Sequence, residues 1–161
     1  MNPKILIRKI KNNDNPWIKF IFNDFWGGNF IATKGIIHNI KDLDGFIAIF
    51  KNEKAGLITF RIADNEFEIV SLNSLVENIG IGSALLEATI KLAKENSKRR
   101  VWLVTTNDNI DALKFYQKRN FRLKKIYPDA IKASRELKPS IPLTGNYGIA
   151  IKDEIELELI I

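Results

Sequence analysis

The passage from residue 66 to residue 104 constrains this chain most. Glu66 to Leu72 reads as a strand, and Ile79-Gly80-Ile81-Gly82 is a glycine turn. A long helix then runs to about Asn96, with Ile81, Leu85, Ala88 and Leu92 as its apolar stripe and Lys91, Lys94 and Glu95 outside it. Val101-Trp102-Leu103-Val104 is an unbroken apolar run, which suits a central strand covered on both faces. Strand, helix, strand makes a crossover, so the strands at 66–72 and 101–105 are expected to lie parallel.

The flanking segments are of another kind. Ile5 to Ile10 reads as a first strand. Asn15-Pro16 opens a helix carrying Trp17, Ile18, Ile21, Phe22 and Phe25, and Trp26-Gly27-Gly28-Asn29 ends it. Phe46 to Phe50 and Gly56 to Ile62 flank the polar turn Lys51-Asn52-Glu53-Lys54 as a hairpin, and Ala63-Asp64-Asn65 leads into the 66–72 strand, which completes an antiparallel meander. A helix from Asn109 to Arg119, a strand from Phe121 to Tyr127, a short helix from Asp129 to about Leu137 and a Pro- and Gly-containing loop over 140–150 follow. Glu154 to Ile161 alternates strictly, with Ile155, Leu157 and Leu159 against Glu156 and Glu158, and is expected to be a half-exposed final strand. The 161 residues therefore read as one α+β domain over 1–161, a mixed sheet with helices packed on it.

Composition removes several chemistries. There is no cysteine, which excludes a thiol nucleophile, disulfides and cysteine-ligated zinc. His38 is the sole histidine, so a multi-histidine metal site is excluded; no metal is expected, and a structural role is the plain reading of His38. The N-terminal apolar run is too short for a signal peptide, and no stretch approaches the roughly 20 apolar residues of a membrane helix, so a soluble cytoplasmic protein with no membrane partner is expected. The formal charge of +6 has one local cluster, Lys98-Arg99-Arg100, which suits a helix C-terminus. No recognition-helix, zinc-finger or RNA-binding motif accompanies it, so nucleic acid is not an expected partner.

The glycine turn is a plausible anion site. First-turn amides of a helix lack internal acceptors, the peptide dipoles add positive potential, and glycine lets a phosphate approach the backbone. A tight turn that lets the helix pack on the sheet would use the same residues. The Walker pattern fails because Gly82, not lysine, precedes Ser83, and the dinucleotide fingerprint fails because Leu85 stands where its third glycine belongs. A second constellation adds to the first. In Asn109-Ile110-Asp111-Ala112-Leu113-Lys114-Phe115-Tyr116, residues Asn109, Ala112, Leu113 and Tyr116 share a helical face. That helix starts just beyond the 101–104 strand, so both features open on the same edge of the sheet.

On these residues the chain resembles the GNAT N-acetyltransferase superfamily. Glu77-Asn78-Ile79-Gly80-Ile81-Gly82 matches the family's Gln/Arg-x-x-Gly-x-Gly/Ala motif apart from Glu77, and 109–121 matches Asn-x-x-Ala-x-x-Phe-Tyr-x-x-x-Gly-Phe apart from Asn120. The tail Ile149–Glu156 resembles an uncharacterised bacterial branch. The resemblance implies a mostly antiparallel sheet, helices on both faces, and strands 66–72 and 101–105 splayed around acetyl-CoA. It implies that Val70, Ser71 and Leu72 pair with the pantetheine arm, that Asn78, Ile79, Gly80, Ile81, Gly82 and Ser83 cradle the pyrophosphate, and that Asn109 hydrogen-bonds the cofactor. Glu77 is expected to face solvent, with a lysine or arginine elsewhere supplying charge. Tyr116 would protonate the CoA thiolate while a primary amine, in a small molecule or a peptide, attacks the thioester directly. For the base, Glu66 and Glu68 share a strand face and Glu68 is favoured, with a water chain as the alternative; Trp26 is expected to wall the amine pocket. A non-catalytic acyl-CoA-binding domain and a basic nucleic-acid-binding protein stand as alternatives, and a homodimer is compatible with the sequence.

Overall fold

The meander and the crossover build the sheet. In the computed structural model, which describes residues 3–161, the strands are β1 (Leu6–Lys9), β2 (Phe30–Thr33), β3 (Ile36–Asn39), β4 (Asp44–Phe50), β5 (Glu53–Ala63), β6 (Glu66–Ser74), β7 (Arg100–Thr106), β8 (Arg122–Tyr127) and β9 (Glu154–Ile160). The helices are α1 (Asn15–Trp26), α2 (Ile81–Glu95), α3 (Ile110–Gln117) and α4 (Ile131–Leu137). Seven strands form one sheet in the order β1-β4-β5-β6-β7-β9-β8, while β2 and β3 form a separate hairpin. Among the described residues only the β6–β7 pair is parallel, as the crossover requires.

Alternation along the central strands feeds two cores. Phe46, Ala48, Ile58, Phe60, Phe67 and Ile69 face α2, which buries Ile81, Leu85, Leu86 and Ala93 against them. Ile47 and Leu57 face the other way, against Ile18, Ile21 and Phe22 of α1. The helical stripe therefore lies one step round from the expected Ala88 and Leu92, which are only partly buried.

Three features depart from expectation. The turn between β4 and β5 is only Lys51-Asn52, both with positive φ (50° and 65°), the geometry that a two-residue hairpin demands. The β2–β3 hairpin carries no strong alternating signal in the sequence; it forms because Ile31 finds the α1 core. The largest correction concerns the last strand. β9 is inserted between β7 and β8 instead of lying half-exposed, and Glu154, Glu156 and Glu158 are buried. The hairpin covers that face: the Lys34 amide donates to Glu154 Oε2 at 2.8 Å, and the Lys34 ammonium lies 3.5 Å from Glu156 Oε1. Arg100, from the basic cluster, reaches Glu156 at 3.1 Å and Glu158 at 2.6 Å. That cluster therefore neutralises buried carboxylates instead of only capping a helix.

Candidate active site

A gap in the sheet organises the site. β6 and β7 pair at Phe67↔Val101, Glu68↔Trp102 and Ile69↔Leu103, and then part. At the same level the β5–β6 register jumps, with Phe60 opposite Ile69 and Thr59 opposite Ser71, so Val70 is an extra residue in a bulge. The bulge turns the backbone of Val70 to Leu72 away from β7 and leaves its polar groups on that side without a strand partner. Ser71 is buried, sharing a 2.6 Å hydrogen bond with Thr59.

On one side of the gap lies a cleft of ≈ 570 Å³. The glycine turn forms its rim. Gly80 caps α2 with φ 90°, a left-handed conformation that glycine adopts without strain, and Asn78 before it is also left-handed at φ 59°. A side chain on Gly80 would point into open space, whereas one on Gly82 would touch the Phe115 ring at 3.4 Å. The Ile81, Gly82 and Ser83 amides belong to the first turn and have no acceptor within the helix. Asn78, Gly80, Ile81, Gly82 and Ser83 line the cleft; Ile79 does not, and is exposed.

The second motif supplies the floor. Asn109 caps α3, accepting from the Ala112 amide at 3.3 Å and donating to Thr105 Oγ1 at 3.1 Å, so its side chain ties the helix start to the splayed end of β7. Tyr116 is 5% exposed, packed edge-on against Phe115 and Phe121 at centroid distances of 5.0 and 5.2 Å. Its hydroxyl has no hydrogen-bond partner among the described residues, yet it is not sealed from the cleft it lines. Burial raises its pKa above the ordinary tyrosine value, against a smaller lowering by Arg119. Asn120 takes φ 67°, the left-handed turn that the motif's usual glycine would make.

Arg119 supplies the positive charge that Glu77 does not. Its guanidinium donates to Ser83 Oγ at 2.6 Å and stacks over Phe115 at 3.7 Å, which fixes it beside the glycine turn, while Glu77 is exposed but also lines the cleft. The sequence implies only that some basic residue fills this role. Arg119 lies three residues past Tyr116 at the end of the α3 motif, and that spacing is the one signal pointing to it.

On the other side of the gap a second cavity of ≈ 720 Å³ opens. Trp26, Val70, Leu72, Val104, Thr105 and Asn109 line both cavities, so the two meet where the strands part. The Trp26 indole donates to Asn73 Oδ1 at 3.0 Å, which orients the ring at this junction. Segment 138–151 closes the far wall, anchored by Asn146, whose backbone and side-chain nitrogens donate to Asp108 at 2.9 and 3.0 Å.

A family model described as "Acetyltransferase (GNAT) family" matches residues 16–121, well over half of the chain. The chain belongs to the GNAT acetyltransferase family. The uncharacterised protein YxbD of Bacillus subtilis strain 168 is 40% identical over 141 residues, covering 87% of this chain and 89% of YxbD. Among solved structures, an IAA acetyltransferase from Bacillus cereus ATCC 14579 superposes with a TM-score of 0.77 at 20% identity, covering 98% of this chain and 100% of that one. A GNAT family acetyltransferase from Elizabethkingia anophelis with acetyl-CoA bound gives 0.75 at 21% identity, covering 98% of each chain. At such identities the likeness speaks for the GNAT fold.

Within this GNAT site a second expected residue, besides Ile79, is out of place. Glu68 lines neither cavity. It is buried on β6 before the bulge, where Arg61 holds it in an ion pair and His38 Nε2 stands 3.7 Å away. Glu66 is likewise engaged by Arg99 and Arg100. His38 is structural, sharing a 2.8 Å hydrogen bond with Thr33 in the hairpin, and burial lowers its pKa. Among the described residues no cluster of three His, Asp or Glu side chains could hold a metal ion, and no helix is long and apolar enough to cross a membrane.

Proposed function

We propose that this protein transfers the acetyl group of acetyl-CoA to a primary amine by direct attack. One observation carries the reading: β6 and β7 part beyond Ile69 and Leu103, with the glycine turn and Tyr116 on one side of the gap and a separate cavity on the other. Two reactants can therefore meet through the sheet from opposite sides. The acetyl-CoA in the Elizabethkingia relative supports the choice of donor.

The cleft fits that donor. The unpaired backbone of Val70 to Leu72 offers an edge to an extended amide chain, as a strand would. The free amides of Ile81, Gly82 and Ser83, with the Arg119 guanidinium beside them, suit a pyrophosphate. Bound there, acetyl-CoA would supply an electrophilic thioester carbon and a thiolate leaving group.

The remaining chemistry belongs to the chain. Tyr116 gives its proton to the sulfur as the C–S bond breaks. A free phenol at about 10 is a weaker acid than a thiol at about 8.5, and burial raises the phenol further. The same burial disfavours the thiolate, so the proton moves as charge develops on sulfur. Trp26 walls the path of the amine, and Asn109 ties the start of α3 to the end of β7 beside the thioester. The acceptor ammonium loses one proton to water in the second cavity before attack, since Glu66 and Glu68 are held in ion pairs, and the second proton that nitrogen loses as the amide forms restores the Tyr116 phenol. The test pairs calorimetric titration of acetyl-CoA with thiol release over a panel of amines. Binding without turnover of any amine would reduce the protein to an acyl-CoA-binding module.

A further inference from the structure

The second cavity ends on a carboxylate that forms no salt bridge. On the sheet face beneath the hairpin, Glu66, Glu68, Glu156 and Glu158 are buried, and each meets an arginine or lysine side chain. Glu154 is the most deeply buried of that row, at 1% exposed, and it alone of them lines the cavity. Its hydrogen-bond partners are neutral: the Lys34 amide at 2.8 Å on Oε2 and the Ser134 hydroxyl at 3.2 Å on Oε1. The Lys34 ammonium is turned instead to Glu156, at 3.5 Å. A carboxylate has about four lone-pair positions, so Glu154 keeps free acceptor capacity. A buried carboxylate without a counter-charge is costly, and an arriving cation relieves that cost.

The other charged groups on the wall are more fully hydrogen-bonded, although Asp108, like Glu154, forms no salt bridge. Asp108 accepts from Thr106 Oγ1 at 2.5 Å and from both nitrogens of Asn146. The Lys138 ammonium is held by the carbonyl oxygens of Trp26 and Phe30. The cavity that Glu154 shares with the gap has apolar lining from Ile31, Ala32, Ile131 and Ile151, beside the Thr105 and Thr106 hydroxyls of β7. Glu154 stands opposite Thr106 in the β7–β9 register, two residues beyond Val104, where the gap opens. Two residues of strand span about 7 Å.

We propose that Glu154 is a specificity-determining residue that binds a second cationic group of the acceptor, so that the preferred substrate is a diamine or longer polyamine instead of a monoamine. One ammonium is held at Glu154 and keeps its protons, the methylene chain lies along the apolar wall, and the other nitrogen reaches the gap to be acetylated. This rests on the reading of the site as an acetyl-CoA:amine transferase. Burial raises the Glu154 pKa, against smaller lowering by the Lys34 and Ser134 hydrogen bonds and the Lys34 charge.

The experiment compares α,ω-diamines with monoamines of equal chain length, by thiol release at saturating acetyl-CoA, in the wild type and in Glu154→Gln. The wild type should favour a diamine of short to medium length by about tenfold or more in kcat/KM, the scale of one lost charge partner. Glu154→Gln should bring that ratio close to one, by loss of the diamine advantage alone, with acetyl-CoA affinity retained. Glu154→Asp keeps the charge but withdraws it by one methylene, and should shift the preference to a longer diamine; it also serves if Glu154→Gln fails to fold. In a second arm without acetyl-CoA, diamine alone should raise the melting temperature of the wild type and not that of Glu154→Gln. A wild type indifferent to the second amine, an unchanged ratio in the folded Gln variant, or equal loss with both amine types would overturn the proposal. Failure of acetyl-CoA to bind, or of every amine to turn over, would instead refute the transferase reading, and the melting arm still reports on Glu154.

Discussion

Replacing Tyr116 by phenylalanine removes one oxygen from the site and little else. The ring packs edge-on against Phe115 and Phe121, and phenylalanine keeps both contacts. The hydroxyl has no partner among the described residues, so its removal breaks no hydrogen bond, and folding stability should change by no more than about 0.5 kcal/mol. If the hydroxyl protonates the leaving thiolate, turnover should fall by about 100-fold, the scale of a lost general acid, which corresponds to about 2.7 kcal/mol of transition-state stabilisation. Affinity for acetyl-CoA should hold within about twofold, because the proton matters only as sulfur leaves. The assay is thiol release with a thiol-reactive dye, and the absence of cysteine from the chain means that the dye reports product alone. The pH profile gives an independent check. Burial raises the Tyr116 pKa, so the phenol stays protonated through neutral and mildly alkaline pH and should impose no alkaline limb on kcat below about pH 10. Unchanged turnover in the variant would show that Tyr116 only packs. A limb near pH 8 present in the wild type and lost in the variant would refute the account of its ionisation.

Three further outcomes follow from the same geometry. Gly82→Val should weaken acetyl-CoA binding roughly tenfold or more, by calorimetry, because a Cβ at this position already meets the Phe115 ring at 3.4 Å, and the valine branches beyond it press on that ring and crowd the first-turn amides. Trp26→Ala should raise the Michaelis constant for the amine roughly tenfold, whereas Glu68→Gln, which lies in neither cavity, should lower the melting temperature and leave the constant unmoved; the opposite pattern in steady-state kinetics would return Glu68 to the acceptor side. Asp14, 1% exposed, accepts from Arg8 at 2.7 and 2.8 Å and pairs with Lys54 at 3.0 Å, which holds its pKa far below the usual carboxylate range. Asp14→Asn should therefore cost about 2 kcal/mol in urea unfolding at pH 6, and the gap to wild type should narrow by about 1 kcal/mol at pH 3, since the contribution is complete above the unfolded value near 3.9 and declines as pH falls below it.

The glycine turn, the α3 cap and the place of Tyr116 were legible in the sequence because their determinants are local. A glycine that must take φ 90° before a helix, an asparagine that caps the next one, and a tyrosine two turns further along are each set by neighbours a few residues away. The crossover between β6 and β7 was legible for a related reason: a parallel pair needs an intervening helix, and the chain has one amphipathic stretch of the right length there. Arg119 was nearly legible, since only its partner Ser83, 36 residues away, shows which way it turns.

The lining of the second cavity was decided in three dimensions. The alternation of Glu154 to Ile160 sets which side chains share a face, and it cannot say whether that face meets water. Insertion of β9 between β7 and β8, with the β2–β3 hairpin laid over it, turned an apparently solvated row of glutamates into a buried one. The arginines that neutralise Glu66, Glu68 and Glu158 lie seven to 58 residues away in sequence, so no local pattern pairs them. Turns, caps and helical stripes act over a few residues, which is why the elements around the glycine-turn cleft, the two motifs and the family they resemble can be read from the chain alone. Burial and charge pairing depend instead on which distant strand and hairpin close over a face. Only the folded arrangement therefore makes Glu68 an ion-pair partner away from both cavities, and leaves Glu154 lining one of them without a salt bridge.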